Sequence, residues 1–435
     1  MDAKKVGCIG CIVVVVVVIL IVVGFVVAIV ISAKRMENVK KAALNSPERE
    51  KPYLERRAEF KTKLRRLDKS PQAWELGNLP AHLQLVTYPS GDLNLKAILY
   101  VPPNVGNTKQ PALVYYHGGF ALDDEDLEDC QPFVDDGFIV MMPALRGENG
   151  GEGNFELFAG ELDDAANAIR WLGKHENVDA VNIYAFGHSI GGGVSAMMSL
   201  MDDDLPLKHC GSSGGLYDIT TFYGWKYSDG ARVVRFNPDD PIECLMRVLW
   251  GNVKWMKRKH YAYIGRQDFP FHIAVEEMQE ENKTAPDPGR LTITQMDGDH
   301  FTSLEPAVRQ YFNIVKSGLG TRNFIPGPPD VMTRRPAENT NIQPTPSFPA
   351  HPNNGTGTMM PSPPTNLGPP ANSIPTNPMP ASPVPPNRLG PPGPSNSPGP
   401  PNRIAPPGSA PRFEPPPMTR PPMPSRPNFG GPGSN

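Results

Sequence analysis

Apolar and polar positions alternate along this chain in three unlike patterns. Residues 6–31, VGCIGCIVVVVVVILIVVGFVVAIVI, carry no charge. As a helix rising 1.5 Å per residue, that run is about 39 Å long, enough to cross a hydrocarbon layer of about 30 Å with some tilt. Valine is a poor helix former in water, but in lipid every backbone N–H and C=O must be paired within the segment, so helix is the expected state. A secretory signal has a shorter apolar region of about 7–15 residues followed by a small-x-small cleavage site. Neither feature is present, and the run reads as an uncleaved single-pass anchor.

The second pattern begins at residue 83. Short β-type runs occur at 83–88, 93–101, 112–116, 138–142, 181–186, 208–212, 260–264 and 291–296. Helical spacing separates several of them: in ELDDAANAIRWL, Leu162, Ala166, Ile169 and Leu172 recur on one face. Apolar strands alternating with amphipathic helices predict an α/β domain, a mostly parallel central sheet of about eight strands flanked by helices. The first two runs, joined through Pro89-Ser90-Gly91-Asp92, predict an antiparallel hairpin ahead of it.

The third pattern has no apolar period. Of the 53 prolines, 36 lie in 326–435, where PPNRLGPPG (385–393) and PPNRIAPPG (400–408) repeat 15 residues apart. Glycine keeps a three-residue period too briefly for a collagen helix, and so little apolar surface cannot bury a core. The expectation is a disordered, partly polyproline-II tail, either a spacer or an arm for the aromatic groove of a protein partner. The domain plan is therefore anchor 6–31, juxtamembrane spacer 34–70, folded domain 71–325 and tail 326–435.

Charge sharpens this plan. The net charge of −3 hides segregation: 34–70 carries 13 Lys/Arg against 6 Asp/Glu, whereas 71–325 carries 20 against 35. An acidic domain argues against nucleic acid as ligand, because phosphates need a positive face. The basic stretch suits anionic lipid, and its excess over Lys4 and Lys5 leans toward a domain on the cytoplasmic side. Five scattered cysteines make no disulfide framework, and Cys8 and Cys11, spaced as metal ligands are, have no companion ligands nearby.

Candidate chemistry centres on Gly187-His188-Ser189-Ile190-Gly191, which fits G-x-S-x-G between an apolar strand and a small-residue helix. The pattern suits a nucleophilic serine on a tight strand-to-helix turn, with flanking glycines that let strand and helix approach. Such a serine needs a base, and the base an orienting acid, in the chain order Ser, acid, His. His300, on the loop after the last strand run, is the candidate base. Asp268, at the end of YAYIGRQD, is the candidate acid. His272, Asp239 and Asp240 are weaker rivals. His117-Gly118-Gly119-Phe120 follows another strand. The backbone N–H groups of Gly119, Phe120 and Ile190 are candidate oxyanion-hole donors. The acidic run 123–129, DDEDLED, reads as a solvated helix start, or as a site for a substrate amine or calcium ion.

Taken in order, HGGF, PALRGENGGEGNF, GELDDAANAIRWL, GHSIGG, IGRQD and DGDHF resemble the α/β-hydrolase fold, and within it the catalytic domain of the prolyl oligopeptidase family and its dienelactone-hydrolase-like relatives. The similarity spans about half the chain. It implies a serine hydrolase working through an acyl-enzyme, without metal or organic cofactor, on a small ester or peptide. It also implies that Arg146 and the Asp163/Asp164 pair fix the loop after a central strand. Only about 50 residues precede the first strand after the anchor, so no β-propeller is expected, and peptidase and carboxylesterase remain open. Residues 216–256, rich in Tyr, Phe and Trp, read as a cap over an acyl pocket or as aromatic core. A reading from another class is a non-catalytic membrane scaffold that displays the proline-rich arm.

Overall fold

Each of the eight β-type runs becomes a strand of one sheet. The computed structural model describes residues 3–319 except 104, 227–231 and 270. The strands are β1 (Leu83–Ser90), β2 (Leu93–Tyr100), β3 (Gln110–Tyr116), β4 (Ile139–Pro143), β5 (Val178–His188), β6 (His209–Ser213), β7 (His260–Gly265) and β8 (Leu291–Met296). They lie side by side in the order β1-β2-β4-β3-β5-β6-β7-β8. The β1–β2 and β2–β4 pairings are antiparallel and all later ones parallel. The helices, in chain order, are α1 (Ala3–Leu44), α2 (Tyr53–Glu59), α3 (Gln131–Asp135), α4 (Glu161–Leu172), α5 (Ser189–Met198), α6 (Thr220–Lys226), α7 (Pro241–Leu245), α8 (Ile273–Lys283) and α9 (Leu304–Leu319). This is the α/β-hydrolase fold.

Side-chain alternation explains why β3 is buried from end to end. Ala112, Val114 and Tyr116 enter one core, with Leu162 and Ile169 of α4 and Val194 and Met197 of α5. Leu113 and Tyr115 enter the other, with Val308, Tyr311 and Val315 of α9. A strand covered on both faces has no polar side to show, so its sequence runs apolar rather than alternating. The arrangement sends every strand from β3 onward in one direction. Their carboxyl ends therefore share an edge, where sites form in open α/β sheets.

The spacer expected at 34–70 touches the domain at several points. Helix α1 continues beyond its apolar run, and Val39, Lys40 and Ala43 are buried against the domain. Lys40 Nζ lies 2.8 Å from Asp218 Oδ2 and 2.8 Å from Glu277 Oε2, over the Trp250 ring. Burial opposes its charge, but Asp218 and Glu277 more than offset that and raise the Lys40 pKa above its ordinary value. The Tyr53 hydroxyl donates to Met246 O at 3.0 Å, and Arg49 Nε donates to Gly251 O at 3.0 Å. A charged sequence hides this role because each cation is buried only through a distant partner. Lys40→Met is expected to lower stability by about 3 kcal/mol in urea denaturation of detergent-solubilised protein, since it leaves the buried Asp218 without its cation. An unchanged midpoint overturns that expectation.

The aromatic-rich segment packs mainly inward: Tyr217, Phe222, Tyr223, Phe236 and Trp250 all belong to the main core. Arg247 is buried among them, 2.6 Å from Glu243 Oε2 and stacked on Phe236 at 3.9 Å. Tyr227 of that segment lies outside the described residues, as does the whole of 326–435.

Candidate active site

The carboxyl edge of the sheet brings together residues widely separated in sequence. Ser189 stands at the junction of β5 and α5 with φ of 55°, in the left-handed region that a non-glycine residue adopts at a cost. Two backbone bonds hold the turn: Gly191 N–H donates to His117 O at 3.1 Å, and Leu216 N–H donates to Ser189 O at 3.3 Å. The flanking glycines are required by space. A Cβ at Gly187 would lie 2.1 Å from Gly191 O, and one at Gly191 would lie 2.0 Å from Tyr116 O.

Asp268 follows β7 and His300 follows β8. His300 Nδ1 lies 2.9 Å from Asp268 Oδ2 and 3.1 Å from Oδ1. Asp268 is only 2 % exposed, so its carboxylate meets the imidazole with little competition from water. Rings fix the imidazole plane: Phe271 stacks on it at 4.5 Å and 14°, and His188 lies at 4.6 Å on an inclined plane. Ser189 is partly exposed, as a nucleophile must be. Among the described residues no hydrogen bond joins its Oγ to His300. In hydrolases without substrate this bond is often long and closes on binding.

The weaker rivals are engaged elsewhere. Asp239 pairs with Lys226 and Tyr223, and Asp240 caps α7. His272 lies 3.3 Å from the Gln295 carboxamide. In the acidic run, Asp123 and Asp126 close a capping box at a short 3-10 helix, which matches the helix-start reading. Among the described residues no group of three or more His, Cys, Asp or Glu side chains is placed to hold a metal ion. Arg146 grips Asp164 through Nε at 2.8 Å and Nη2 at 2.8 Å, fixing the loop after β4, whereas Asp163 turns to Arg57.

Three contributors escaped the sequence reading. His188 Nε2–H donates to the His300 carbonyl at 2.9 Å. Burial, with the neighbouring His300, pushes the His188 pKa down to about 3, so a neutral ring rather than a second cation lies beside the candidate base. Gly214, with φ of +54°, leaves room for the His300–Asp268 contact; its Cβ would lie 2.8 Å from both Asp268 Oδ2 and His300 Nδ1. The paired glycines in GSSGGLY, at the end of β6, were the available signal for it. The third is Gln72, whose side-chain oxygen accepts from Phe120 N–H. Nothing in its local sequence marks that role.

Behind the His117–Phe120 loop, His117 Nε2 lies 3.1 Å from Glu148 Oε2. Burial disfavours the His117 cation, but Glu148 more than compensates and raises its pKa to about 9. The folded protein therefore holds this proton more tightly than the unfolded chain, in which histidine titrates near 6.5. The stabilisation is complete below about pH 6.5 and is lost as pH rises through about 9. Urea midpoints should fall across that window, by up to about 3 kcal/mol in stability. Glu148→Gln should flatten the fall, and an equally steep profile in that variant overturns the assignment.

Comparison with known proteins adds relatives. The profile of the X-Pro dipeptidyl-peptidase (S15) family matches residues 90–239. An uncharacterised peptidase of Bacillus subtilis (strain 168), YtmA, is 34% identical over 150 residues, 33% of this chain and 55% of that protein. The chain thus spans about half the length of this curated relative. Solved structures similar to it include Pyrococcus horikoshii acylaminoacyl peptidase, at 18% identity and a TM-score of 0.44, covering 55% of this chain and 40% of that one. They also include a Pyrobaculum calidifontis esterase, at 18% identity and a TM-score of 0.44, covering 67% of this chain and 94% of that one.

Proposed function

We propose that this chain, a member of the α/β-hydrolase superfamily, is a membrane-anchored serine hydrolase that cleaves an ester or amide through Ser189, His300 and Asp268. The carrying observation is a positive-φ serine at a strand-to-helix turn, whose neighbour His188 lies against a histidine, His300, with its Nδ1 held by a buried carboxylate. In this reading His300 Nε2 takes the proton of Ser189 Oγ as the oxygen attacks the substrate carbonyl. Asp268 keeps the proton on Nδ1 and stabilises the imidazolium that forms. The tetrahedral oxyanion accepts from the N–H groups of Ile190, Gly119 and Phe120, close to the positive end of α5. His300 then protonates the leaving alcohol or amine, leaving an acyl group on Ser189. A water activated by the same imidazole removes it. The face of Phe271 favours the transient imidazolium, an aromatic surface facing a cation.

The substrate class is a small ester or peptide. The S15 profile and YtmA support the peptide side. A phenylalanine follows each of the two supporting residues, with Phe269 74% and Phe301 68% exposed, which suits an apolar acyl or side chain at the mouth. Anchoring rests on α1, the one helix among the described residues long and apolar enough to cross a membrane. From the end of the apolar run at Ile31 to the docked Lys40 is nine helical residues, about 14 Å, so the domain sits close to the bilayer. The basic residues after the span favour the cytoplasmic side, which protease shaving of intact cells tests.

The decisive test is a fluorophosphonate probe on the full chain. Wild type should be labelled covalently and Ser189→Ala should not; equal labelling of both overturns the assignment. Parallel assays on aminoacyl amides and short acyl esters then separate peptidase from esterase.

A further inference from the structure

One candidate donor of the proposed oxyanion hole is already bonded within this chain. Phe120 N–H donates to Gln72 Oε1, and the same oxygen crowds Gly119, where a Cβ would lie 2.8 Å from it. From the other side the Ser70 hydroxyl donates to Phe120 O. A single short segment thus takes both the N–H and the C=O of one residue in the loop. That segment is firmly held on its amino-terminal side: Phe155 N–H donates to Asp68 O at 3.0 Å, and Ser70 N–H donates to Gly147 O at 2.9 Å. Lys69 Nζ donates to Gly151 O at 2.8 Å and Gly153 O at 2.7 Å. Beyond Gln72 the chain turns outward, and Ala73, Trp74 and Glu75 are exposed. Gln72 is therefore the last held residue before a short exposed stretch, beyond which Leu76 and Leu79 pack against the second core.

We propose that Gln72 is an internal occupant of the oxyanion hole, which caps the resting site and must swing out before a substrate carbonyl can enter. A carboxamide oxygen is the same kind of acceptor as the oxygen of a scissile ester or amide, and it competes for the Phe120 N–H. The contact is one neutral hydrogen bond, so the restraint is modest and a side-chain rotation releases it. The strap continues from α1 and α2, so the cap is built into the segment that ties the domain to the anchor helix.

The inference rests on the serine hydrolase reading, and the test separates their failures. Gln72→Ala should raise kcat/KM on a short ester, and the rate of fluorophosphonate labelling, by about three- to tenfold. Gln72→Glu should act in the opposite direction, because a carboxylate bonds these donors more strongly than a carboxamide does. A merely structural role for Gln72 makes both variants slower. Hydrogen exchange at the Phe120 amide should speed up in Gln72→Ala, a readout that needs no turnover. Labelling of wild type that Gln72→Ala leaves unchanged or slows overturns the cap alone, as does unchanged Phe120 exchange. Absence of labelling in every variant overturns both readings.

Discussion

Ser189→Ala is expected to lower kcat by about ten-thousand- to million-fold, with the fold intact. The loss is large because the step it removes has no substitute. On the proposed mechanism, no acyl-enzyme forms without the hydroxyl, and the remaining oxyanion donors and binding contacts can speed only direct attack by water. His300→Ala should cost a similar factor, and the double variant no more than either single one, because the two residues act as one unit. Asp268→Asn tests the orienting carboxylate separately. An amide there can face Nδ1 with its own N–H, selecting the wrong tautomer, at a cost of about ten-thousand-fold. Single-turnover hydrolysis of a chromogenic short-chain ester measures all four variants. Wild-type turnover in Ser189→Ala would falsify the mechanism, whereas additive losses in the double variant would show that Ser189 and His300 do not act together.

Gly191→Ala should be the most damaging single change to the fold, costing about 3–5 kcal/mol and leaving little soluble protein. Its Cβ would lie 2.0 Å from Tyr116 O and 2.5 Å from His117 O, both backbone atoms of the neighbouring strand and loop. Backbone cannot rotate aside as a side chain does, so α5 must move away from β3, and the Ser189 turn moves with it. Gly318→Ala provides the contrast. It lies within α9 with nothing inside 4 Å of the added carbon. There alanine should stabilise by about 0.5–1 kcal/mol, because glycine loses more freedom on entering a helix. Thermal melts of the two variants give opposite signs, and a Gly191→Ala melt matching wild type removes the close-packing account.

The fold was legible because its signals are local. Most strands announced themselves within five to nine residues by β-branched and aromatic density, β6 (HCGSS) being the exception, and α4 spans the same twelve residues as its periodic pattern. The candidate site was legible for the same reason. Ser189 directly follows β5, and Asp268 and His300 lie on the short loops after β7 and β8, so strand ends and chain order pointed to them as candidates. The contacts of residues 34–70 were not legible, because charge within a segment says how polar it is, not which partners it will meet. Residues 34–70 look solvated by composition, but Lys40 finds Asp218 across 178 positions and leaves water with it.

The sequence by itself determined the α/β alternation, the apolar N-terminal helix and the three candidate triad residues, because periodicity, hydrophobicity and turn chemistry act over a few neighbouring residues. Only the tertiary structure decided what surrounds them. Gln72 on Phe120 N–H spans 48 positions and His188 on the His300 carbonyl spans 112. Such contacts depend on where distant backbones converge, and no local pattern of residues encodes that convergence.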